Sequence, residues 1–136
     1  LLITEAPGTL GRSDCVSDAS GAVAGTTGAE IIDSLEVRDG DLQIRKLRYD
    51  GFFGTPLHHL LRLRDIKNVL VVGTVTNICV LHTVGKASLY GYQVAVAEDG
   101  TSSLDPFDQA LGLRQVTEVF SGDVCRTEGI IFCKDA

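Results

Sequence analysis

Methionine and tryptophan are absent from this 136-residue sequence, and only three residues are proline. No hydrophobic run approaches the ~20 residues that a membrane-spanning helix needs. The four cysteines form no CxxC pair and no zinc-finger spacing, which argues against a structural zinc site and a dense disulfide framework. The net charge of −6 leaves no excess of basic residues for a nucleic acid or an anionic membrane surface. The sequence therefore predicts neither a nucleic-acid partner nor a membrane partner.

The missing methionine includes position 1, and the chain opens inside a short apolar run over residues 1–4. We interpret the sequence as a fragment or a processed chain. Nothing at its start has the pattern of a secretory signal peptide, so we expect a cytoplasmic protein whose thiols are reduced. The cysteines are Cys15, Cys79, Cys125 and Cys133.

What the sequence does contain is typical of a single globular domain over residues 1–136. Hydrophobic residues make up 44% and charged residues 22%, a composition that supports a core and argues against disorder. Strand-like and helix-like patterns alternate along the chain. The predicted strands are 1–4, 42–46, 68–73 and 93–97, and the predicted helical segments are 28–35 (one short turn), 55–64, 77–90 and 105–119. A loop over 5–27 and a tail over 125–136 complete the assignment.

Strand–helix alternation with short connections predicts right-handed crossovers and a mostly parallel sheet. We therefore predict an α/β fold with three layers, α/β/α, and a Rossmann-like topology. The continuously apolar strand 68–73 is expected to be covered on both faces. Thr55 and Asp105 are predicted N-caps, each followed by proline, and Gly91 is expected to end the helix before it.

Two predicted strands deliver chemically useful side chains to one edge of the sheet. One strand ends at Lys46, and the other runs into a helix whose first turn holds Cys79. Ligands bind at the carboxyl ends of parallel strands, and the positive end of a helix favours a thiolate over a thiol. A nearby ammonium acts in the same direction. The pattern indicates an activated nucleophile, although composition alone favours a buried, inert Cys79 and a solvated Lys46.

The histidines and one acidic loop offer weaker candidates. His82 lies three residues after Cys79, on a neighbouring helix face, and we interpret it as packed or solvated rather than as a base. His58 and His59 are adjacent and do not share a helix face, which argues against a metal pair. Cys15 has acidic neighbours but no histidine nearby. We predict no metal site and no cofactor.

Residues 46–55 (KLRYDGFFGT) resemble the lysine motif of isochorismatase-like cysteine hydrolases, in which a lysine precedes Arg-Tyr, small residues, an aromatic residue and Gly-Thr. Residues 73–80 (GTVTNICV) resemble the nucleophile motif of the same family. Residues 91–99, a Gly-Tyr pair, an apolar strand and Glu-Asp, resemble its next strand, and 25–30 resemble the approach to the lysine strand. The likeness covers about residues 25–124, with both motifs in the family's order and spacing.

This resemblance implies an isochorismatase-like fold and a mechanism. Cys79 is the implied nucleophile, which attacks an amide carbonyl to give a thioester that water hydrolyses, and Lys46 holds the charge of the site. A cis peptide bond between Thr74 and Val75 is implied, with the N–H groups of Val75 and Cys79 forming an oxyanion hole. The implied substrate-pocket residues are Tyr49, Phe52 and Asn77.

The sequence departs from the family pattern at the third catalytic residue. In the family this residue is an aspartate near the N-terminus, on a strand that precedes the segment matched by residues 1–4. Asp14 and Asp18 follow that segment, so neither is assigned the role. Whether the chain is an active enzyme is therefore left open. Asp50 is a milder departure, because its carboxylate could compete for the lysine ammonium.

The first expected function is cysteine-dependent hydrolysis of a small amide or ureido C–N bond. Ureidoacrylate- or carbamoyl-like substrates are preferred over nicotinamide, because the acidic loop lacks the histidine of the metal-binding relatives. One alternative is a catalytically inactive, truncated relative that serves assembly or binding. Another, an isochorismate-type vinyl-ether hydrolase, is disfavoured because those relatives do not need the cysteine present here. Members of the family commonly form dimers or tetramers, so the resemblance implies a homo-oligomer.

Overall fold

The structure, a computed structural model, describes residues 2–5 by their backbone and residues 30–131 with their side chains. Most of the predicted loop 5–27 and the last part of the predicted tail, 132–136, therefore lie outside the described residues. The strands, numbered in chain order, are β1 (Leu2–Glu5), β2 (Gln43–Lys46), β3 (Asn68–Thr74), β4 (Gln93–Ser102) and β5 (Asp123–Cys125). The α-helices are α1 (Leu57–Leu63), α2 (Leu81–Leu89) and α3 (Pro106–Glu118), with a π-helix at Thr76–Val80 and a 3₁₀ turn at Thr127–Gly129.

The strand pairs of the described residues are all parallel. β1 pairs with β2, from Leu2 opposite Gln43 to Glu5 opposite Lys46. β4 lies between β3 and β5 in a second sheet. Helices flank the sheets, because a parallel neighbour can be reached only by a crossover that returns the chain to the same edge. The predicted α/β class with a mostly parallel sheet is confirmed.

β4 ends at Ser102, whereas the sequence predicts an end at residue 97. The first half of β4 pairs regularly with β3, and pairing then resumes at Gly73 opposite Thr101 and Thr74 opposite Ser102, after a shift in register. Such a bulge bends the strand and re-aims its side chains. The polar residues within the bulge concealed this continuation, which brings the end of β4 alongside the end of β3.

The segment after β3 is helical, as predicted, but it begins as a π-helix before it becomes α2. Gly91 follows α2 with a φ of 83°, the left-handed conformation expected of a terminating glycine. Asp105 caps α3, as predicted, by accepting from the N–H of Asp108 at 2.9 Å. In the part of the chain that the structure describes, no helix is long and apolar enough to cross a bilayer.

The structure differs in detail from three of the predicted segments. Pro56 rather than Thr55 takes the N-cap position of α1. The Thr55 hydroxyl nevertheless accepts from the N–H of Leu57, the first residue of the helix, at 3.3 Å, and it donates to the Gly51 carbonyl at 2.6 Å. The described part of the predicted segment 28–35 is a turn closed by one backbone hydrogen bond of 2.9 Å. The predicted tail 125–136 starts at the last residue of β5, and its described part also contains the 3₁₀ turn at Thr127–Gly129.

Among the described residues, one apolar cluster forms the core, with members from β2, β4 and the helices. Val84, Val96 and Val116 are fully buried within it. The other buried members are Ile44, Phe52, Leu57, Val80, Ala87, Tyr92 and Val94. The prediction that β3 is covered on both faces is wrong for the described residues: Leu70 is 37% and Val72 is 54% exposed, because β3 borders a cavity instead of packing against a covering element.

Truncation of Val96 to alanine tests this core. The side chain lies in β4 with no exposure, so the change removes two buried methyl groups and leaves a void. We expect the free energy of unfolding to fall by about 2–3 kcal/mol. The matched control, Val119→Ala, alters a side chain that is 63% exposed and should cost less than ~0.5 kcal/mol. Urea denaturation followed by circular dichroism measures both variants, and equal losses would contradict the assignment.

Asp99 ties the bulge of β4 to the 3₁₀ turn. Its carboxylate accepts from the N–H of Thr127 at 2.9 Å and from the Thr127 hydroxyl at 2.7 Å. Beside it, Arg126 pairs with Glu98 at 3.6 Å. The hydroxyl bond, and after it the backbone bond, stabilises the ionised carboxylate and holds the pKa of Asp99 below its ordinary value.

A Thr127→Val variant should raise the pKa of Asp99, because it removes the hydroxyl bond and keeps the backbone N–H. Since the folded pKa is depressed, the associated stabilisation is present above the ordinary pKa of 3.8 and is lost as the pH falls through the folded value. Carbon-13 NMR titration of the side-chain carboxyls measures the shift, with the remaining aspartates as internal references. An unchanged titration of Asp99 would show that the hydroxyl is not the cause.

Candidate active site

The carboxyl ends of β2 and β3 bring together the two side chains predicted to be reactive. Lys46, the last residue of β2, donates from Nζ to Sγ of Cys79 at 3.8 Å. Lys46 is only 7% exposed, and Cys79 is half-buried. The lysine is therefore not a solvated strand-end residue, and an ammonium this close stabilises negative charge on the sulfur.

Strand alternation explains why this lysine is turned inward. Ile44 and Lys46 are buried, whereas Gln43 and Arg45 are exposed, as expected where successive side chains point to opposite faces of a sheet. Ile44 joins the core, and the aliphatic stem of Lys46 packs on the same side. The charged end is thereby held at the sulfur of Cys79.

Cys79 stands on the π-helix, which follows a cis peptide bond between Thr74 and Val75. Val75 is extended, with φ −97° and ψ 137°. Its carbonyl accepts from the N–H groups of Ile78 at 3.0 Å and Val80 at 3.2 Å. The second bond spans five residues, the spacing of a π-helix, which is frequent at functional sites. This turn carries the chain directly from the end of β3 to the sulfur.

Hydrogen bonds from β4 and α3 hold the π-helix in place. The buried hydroxyl of Thr76 donates to Oε1 of Gln109 at 2.6 Å. Nε2 of Gln109 donates in turn to Oγ1 of Thr101 at 3.3 Å. Ser103 donates to Oδ1 of Asn77 at 3.3 Å. The position of the turn that carries Cys79 thus depends on residues 26 and 33 positions further along the chain than their partners.

The loop that follows Lys46 has hydrogen bonds of its own. Oδ1 of Asp50 accepts from the N–H of Phe52 at 2.8 Å, which closes an Asx-type turn. The carboxylate that the sequence offers as a competitor for Lys46 is therefore used within the loop. The N–H of Gly51 is bound from α2, where Oγ1 of Thr83 accepts it at 2.9 Å.

A cavity of about 870 Å³ opens beside the lysine and the cysteine, bordered by β2, β3 and α1. Its wall is mostly apolar and contains both Lys46 and Cys79. Phe52, one of the predicted pocket residues, also lines it. A largely apolar cavity of this size with a few reactive groups is typical of a small-molecule site.

The other predicted pocket residues lie outside the described wall of this cavity. Tyr49 is 56% exposed and packs against His82, with ring centroids 5.6 Å apart. Nδ1 of His82 hydrogen-bonds the Ile78 carbonyl at 2.6 Å, so this exposed ring is held in place by local contacts. Asn77 is engaged by its bond from Ser103, which directly follows β4.

Over residues 30–131, no three His, Cys, Asp or Glu side chains are placed to hold a metal ion. His58 instead takes part in aromatic packing: its Nδ1 lies 3.0 Å from the Tyr92 hydroxyl, and its ring stacks on Tyr90. Cys79 and Cys125 are free thiols, and Sγ of Cys125 lies 3.7 Å from a backbone carbonyl of β4.

A model of the Isochorismatase domain matches residues 11–129, which include the whole described site. This chain belongs to the isochorismatase family. The resemblance carried by the lysine and cysteine motifs is thereby confirmed.

Several proteins similar to this isochorismatase-family chain are named as amidohydrolases, amidases or nicotinamidases. Ureidoacrylate amidohydrolase RutB of Klebsiella pneumoniae is 37% identical over 105 residues, which are 76% of this chain and 43% of the relative. The crystal structure of N-carbamoylsarcosine amidase from Thermoplasma acidophilum is 32% identical with a TM-score of 0.74, covering 82% of this chain and 63% of that one. The nicotinamidase SaPncA from Staphylococcus aureus is 41% identical with a TM-score of 0.59, covering 60% and 53%. The chain spans less than half the length of the curated relatives that it matches.

The sequence pointed to Lys46 and Cys79 of this isochorismatase-family chain but missed the side chains that position them. Gln109 and Ser103 carry no local signal, because each contacts the π-helix from a distant part of the chain. Thr83 did carry a local signal in the sequence, because a residue four positions after Cys79 lies on the same face of the helix.

Gly112 of α3 approaches the site closely. A Cβ built on it would lie 3.1 Å from the Cα and N atoms of Asn77 and from Cγ2 of Thr76. Both neighbours are anchored, one to Ser103 and one to Gln109. Neither can retreat without disturbing a hydrogen bond.

A Gly112→Ala variant should therefore displace the π-helix and slow the alkylation of Cys79 by iodoacetamide. Overpacking costs about 1–3 kcal/mol and alanine regains about 1 kcal/mol of helix propensity, so unfolding stability should fall by at most ~2 kcal/mol. The control is Gly129→Ala, whose added Cβ meets no atom within 4 Å. Peptide mass spectrometry measures the alkylation, and a wild-type rate in Gly112→Ala would refute the role of this contact.

Proposed function

We propose that the chain hydrolyses a small amide or ureido C–N bond, with Cys79 as nucleophile and Lys46 as its charged partner. The observation that carries the proposal is the 3.8 Å contact between Nζ of Lys46 and Sγ of Cys79 in the wall of a cavity of about 870 Å³. A cysteine beside a cation in a partly exposed site is typical of a reactive thiolate. The cavity gives a small substrate access to the sulfur.

In the first half of the reaction, the thiolate of Cys79 attacks the carbonyl carbon and forms a C–S bond and a tetrahedral oxyanion. The C–N bond breaks as the oxyanion collapses, which leaves the acyl group on sulfur as a thioester. The departing nitrogen takes a proton from the ammonium of Lys46. Water then adds to the thioester: its hydroxyl goes to the acyl carbon, its proton returns to Lys46, and the thiolate is released.

The N–H groups of Val75 and Cys79 are the proposed oxyanion hole. They belong to the same turn of chain, which the hydrogen bonds to Gln109 and Ser103 hold rigid before the substrate arrives. Donors held in this way stabilise developing charge without reorganisation. Phe52 would contact the substrate from the cavity wall, and Tyr49 and Asn77 remain predicted pocket residues.

The names of the similar proteins support the substrate class. Ureidoacrylate, N-carbamoylsarcosine and nicotinamide each contain a C–N bond to a carbonyl carbon. Ureidoacrylate amidohydrolases of several bacteria are 36–39% identical to this chain, whereas a nicotinamidase structure that covers 83% of the chain is 26% identical. We therefore place ureido substrates first and nicotinamide second.

Thiol reactivity tests the pairing of lysine and cysteine. At neutral pH, Cys79 should react with iodoacetamide faster than Cys125, because Lys46 stabilises its thiolate. A Lys46→Met variant should slow Cys79 about tenfold. Lys67→Met, which alters an exposed lysine paired with Asp65, is the control and should leave the rate unchanged. Equal labelling of the two cysteines in the unmodified protein would contradict the proposal.

Ammonia release from the three substrates tests the reaction itself. A Cys79→Ala variant should lose all turnover, and Cys125→Ala should keep it. Turnover that survives in Cys79→Ala would exclude the cysteine mechanism. A reactive Cys79 without turnover in the unmodified protein would instead favour the inactive, ligand-binding relative.

A further inference from the structure

Thr83 makes two hydrogen bonds that connect the lysine loop to the helix of the nucleophile. It lies on α2, one turn beyond Cys79, half-buried in the cavity wall. Its hydroxyl donates to the Cys79 carbonyl at 2.8 Å and accepts from the N–H of Gly51 at 2.9 Å. A hydroxyl carries one proton, and a backbone N–H can only donate, so these two partners fix the direction of both bonds.

The two bonds close a ring around the reactive pair. From Lys46 the chain runs to Gly51, crosses to Thr83, continues to the backbone of Cys79, and returns from Sγ to Nζ at 3.8 Å. The link between Gly51 and Thr83 joins segments that are 32 residues apart in sequence. Gly51 is buried, so its N–H has no ready substitute in solvent if the hydroxyl is removed.

Another helical threonine shows which of the two bonds is special. Thr117 on α3 also donates to a carbonyl of the preceding turn, that of Arg114 at 3.0 Å, but it is exposed and lies on the surface of the helix. Such back-bonding is common for threonine in helices. The bond from Gly51 is the feature that back-bonding does not explain.

We propose that Thr83 is a positioning residue that sets the separation between Nζ of Lys46 and Sγ of Cys79 by holding the lysine loop against α2. It acts through the backbones of Gly51 and Cys79 and touches none of the reacting atoms. This role rests on the proposed function, since it matters only where Cys79 is the nucleophile. Because reactivity depends steeply on the geometry of such a pair, a small shift of the loop has a large effect.

The experiment compares alkylation of Cys79 by iodoacetamide in four variants, with Cys125 of the same molecule as internal reference. Thr83→Val replaces the hydroxyl by a methyl group of similar size, and Cys79 labelling should fall about tenfold. Thr83→Ser keeps the hydroxyl and should restore the rate to near that of the unmodified protein. Thr117→Val, the matched control, should change nothing. Thr83→Ala removes the hydroxyl with a smaller side chain and repeats the test if the valine does not fold.

Turnover and hydrogen exchange give independent readouts. In the ammonia-release assay, Thr83→Val should lower kcat far more than it changes KM, because the hydroxyl that it removes is bound to Gly51 and Cys79 and the valine keeps the volume of this part of the wall. In the unmodified protein, the Gly51 amide should exchange with solvent more slowly than the amides of exposed loop residues. That measurement needs no variant.

The possible results separate this inference from the proposed function. If Cys79 labels no faster than Cys125 in the unmodified protein, the proposed function itself fails. If Cys79 labels fast but Thr83→Val and Thr83→Ala label equally fast, only the role of Thr83 is overturned. The role of Thr83 is also overturned if Cys79 labels as slowly in Thr83→Ser as in Thr83→Val, or if labelling of Cys125 slows to the same extent. Rapid exchange of the Gly51 amide in the unmodified protein would overturn it as well.

Discussion

The contact between the Lys46 ammonium and the Cys79 sulfur is the interaction on which the rest of the structure converges. It joins two sheets that share no hydrogen-bonded strand pair among the described residues, because Lys46 ends β2 and Cys79 follows β3. A cation with 7% exposure interacts strongly with a neighbouring thiol, since little water screens the pair. The surrounding hydrogen bonds must therefore hold Nζ of Lys46 at 3.8 Å from Sγ of Cys79.

Those hydrogen bonds reach the pair from opposite sides. Gln109 of α3 and Ser103, the residue directly after β4, hydrogen-bond to the π-helix. Thr83 and the Asx turn of Asp50 order the loop on the lysine side. The apolar core buries most of the surface around the pair. The polar network determines the positions of the sulfur and the ammonium relative to each other.

The parts of the fold that the sequence predicts correctly are those with local causes. The apolar run of β3, the capping of α3 by Asp105 and the end of α2 at Gly91 each follow from the chemistry of neighbouring residues. The bulge of β4 and the exposed positions of β3 do not, because both depend on what packs beside the strand. Because polar residues follow position 97, the sequence predicts that β4 ends there.

The site divides in the same way. Lys46 and Cys79 carry recognisable motifs, so their types and spacing predict the chemistry. Their supports do not, since a hydrogen bond between residues 26 to 33 positions apart leaves no trace in a local pattern. The π-helix escapes prediction as well, because its wide turn requires only the sequence of an ordinary helix and is selected by contacts from outside.

The partial exposure of Leu70 and Val72 has a consequence for the edge of β3. In the part of the chain that the structure describes, this strand pairs with β4 along one edge, and these two apolar side chains are partly open to solvent. An apolar strand with unpaired backbone groups is a template on which another strand can grow. Among the described residues, this edge of β3 is therefore the place at which a further strand would extend the sheet.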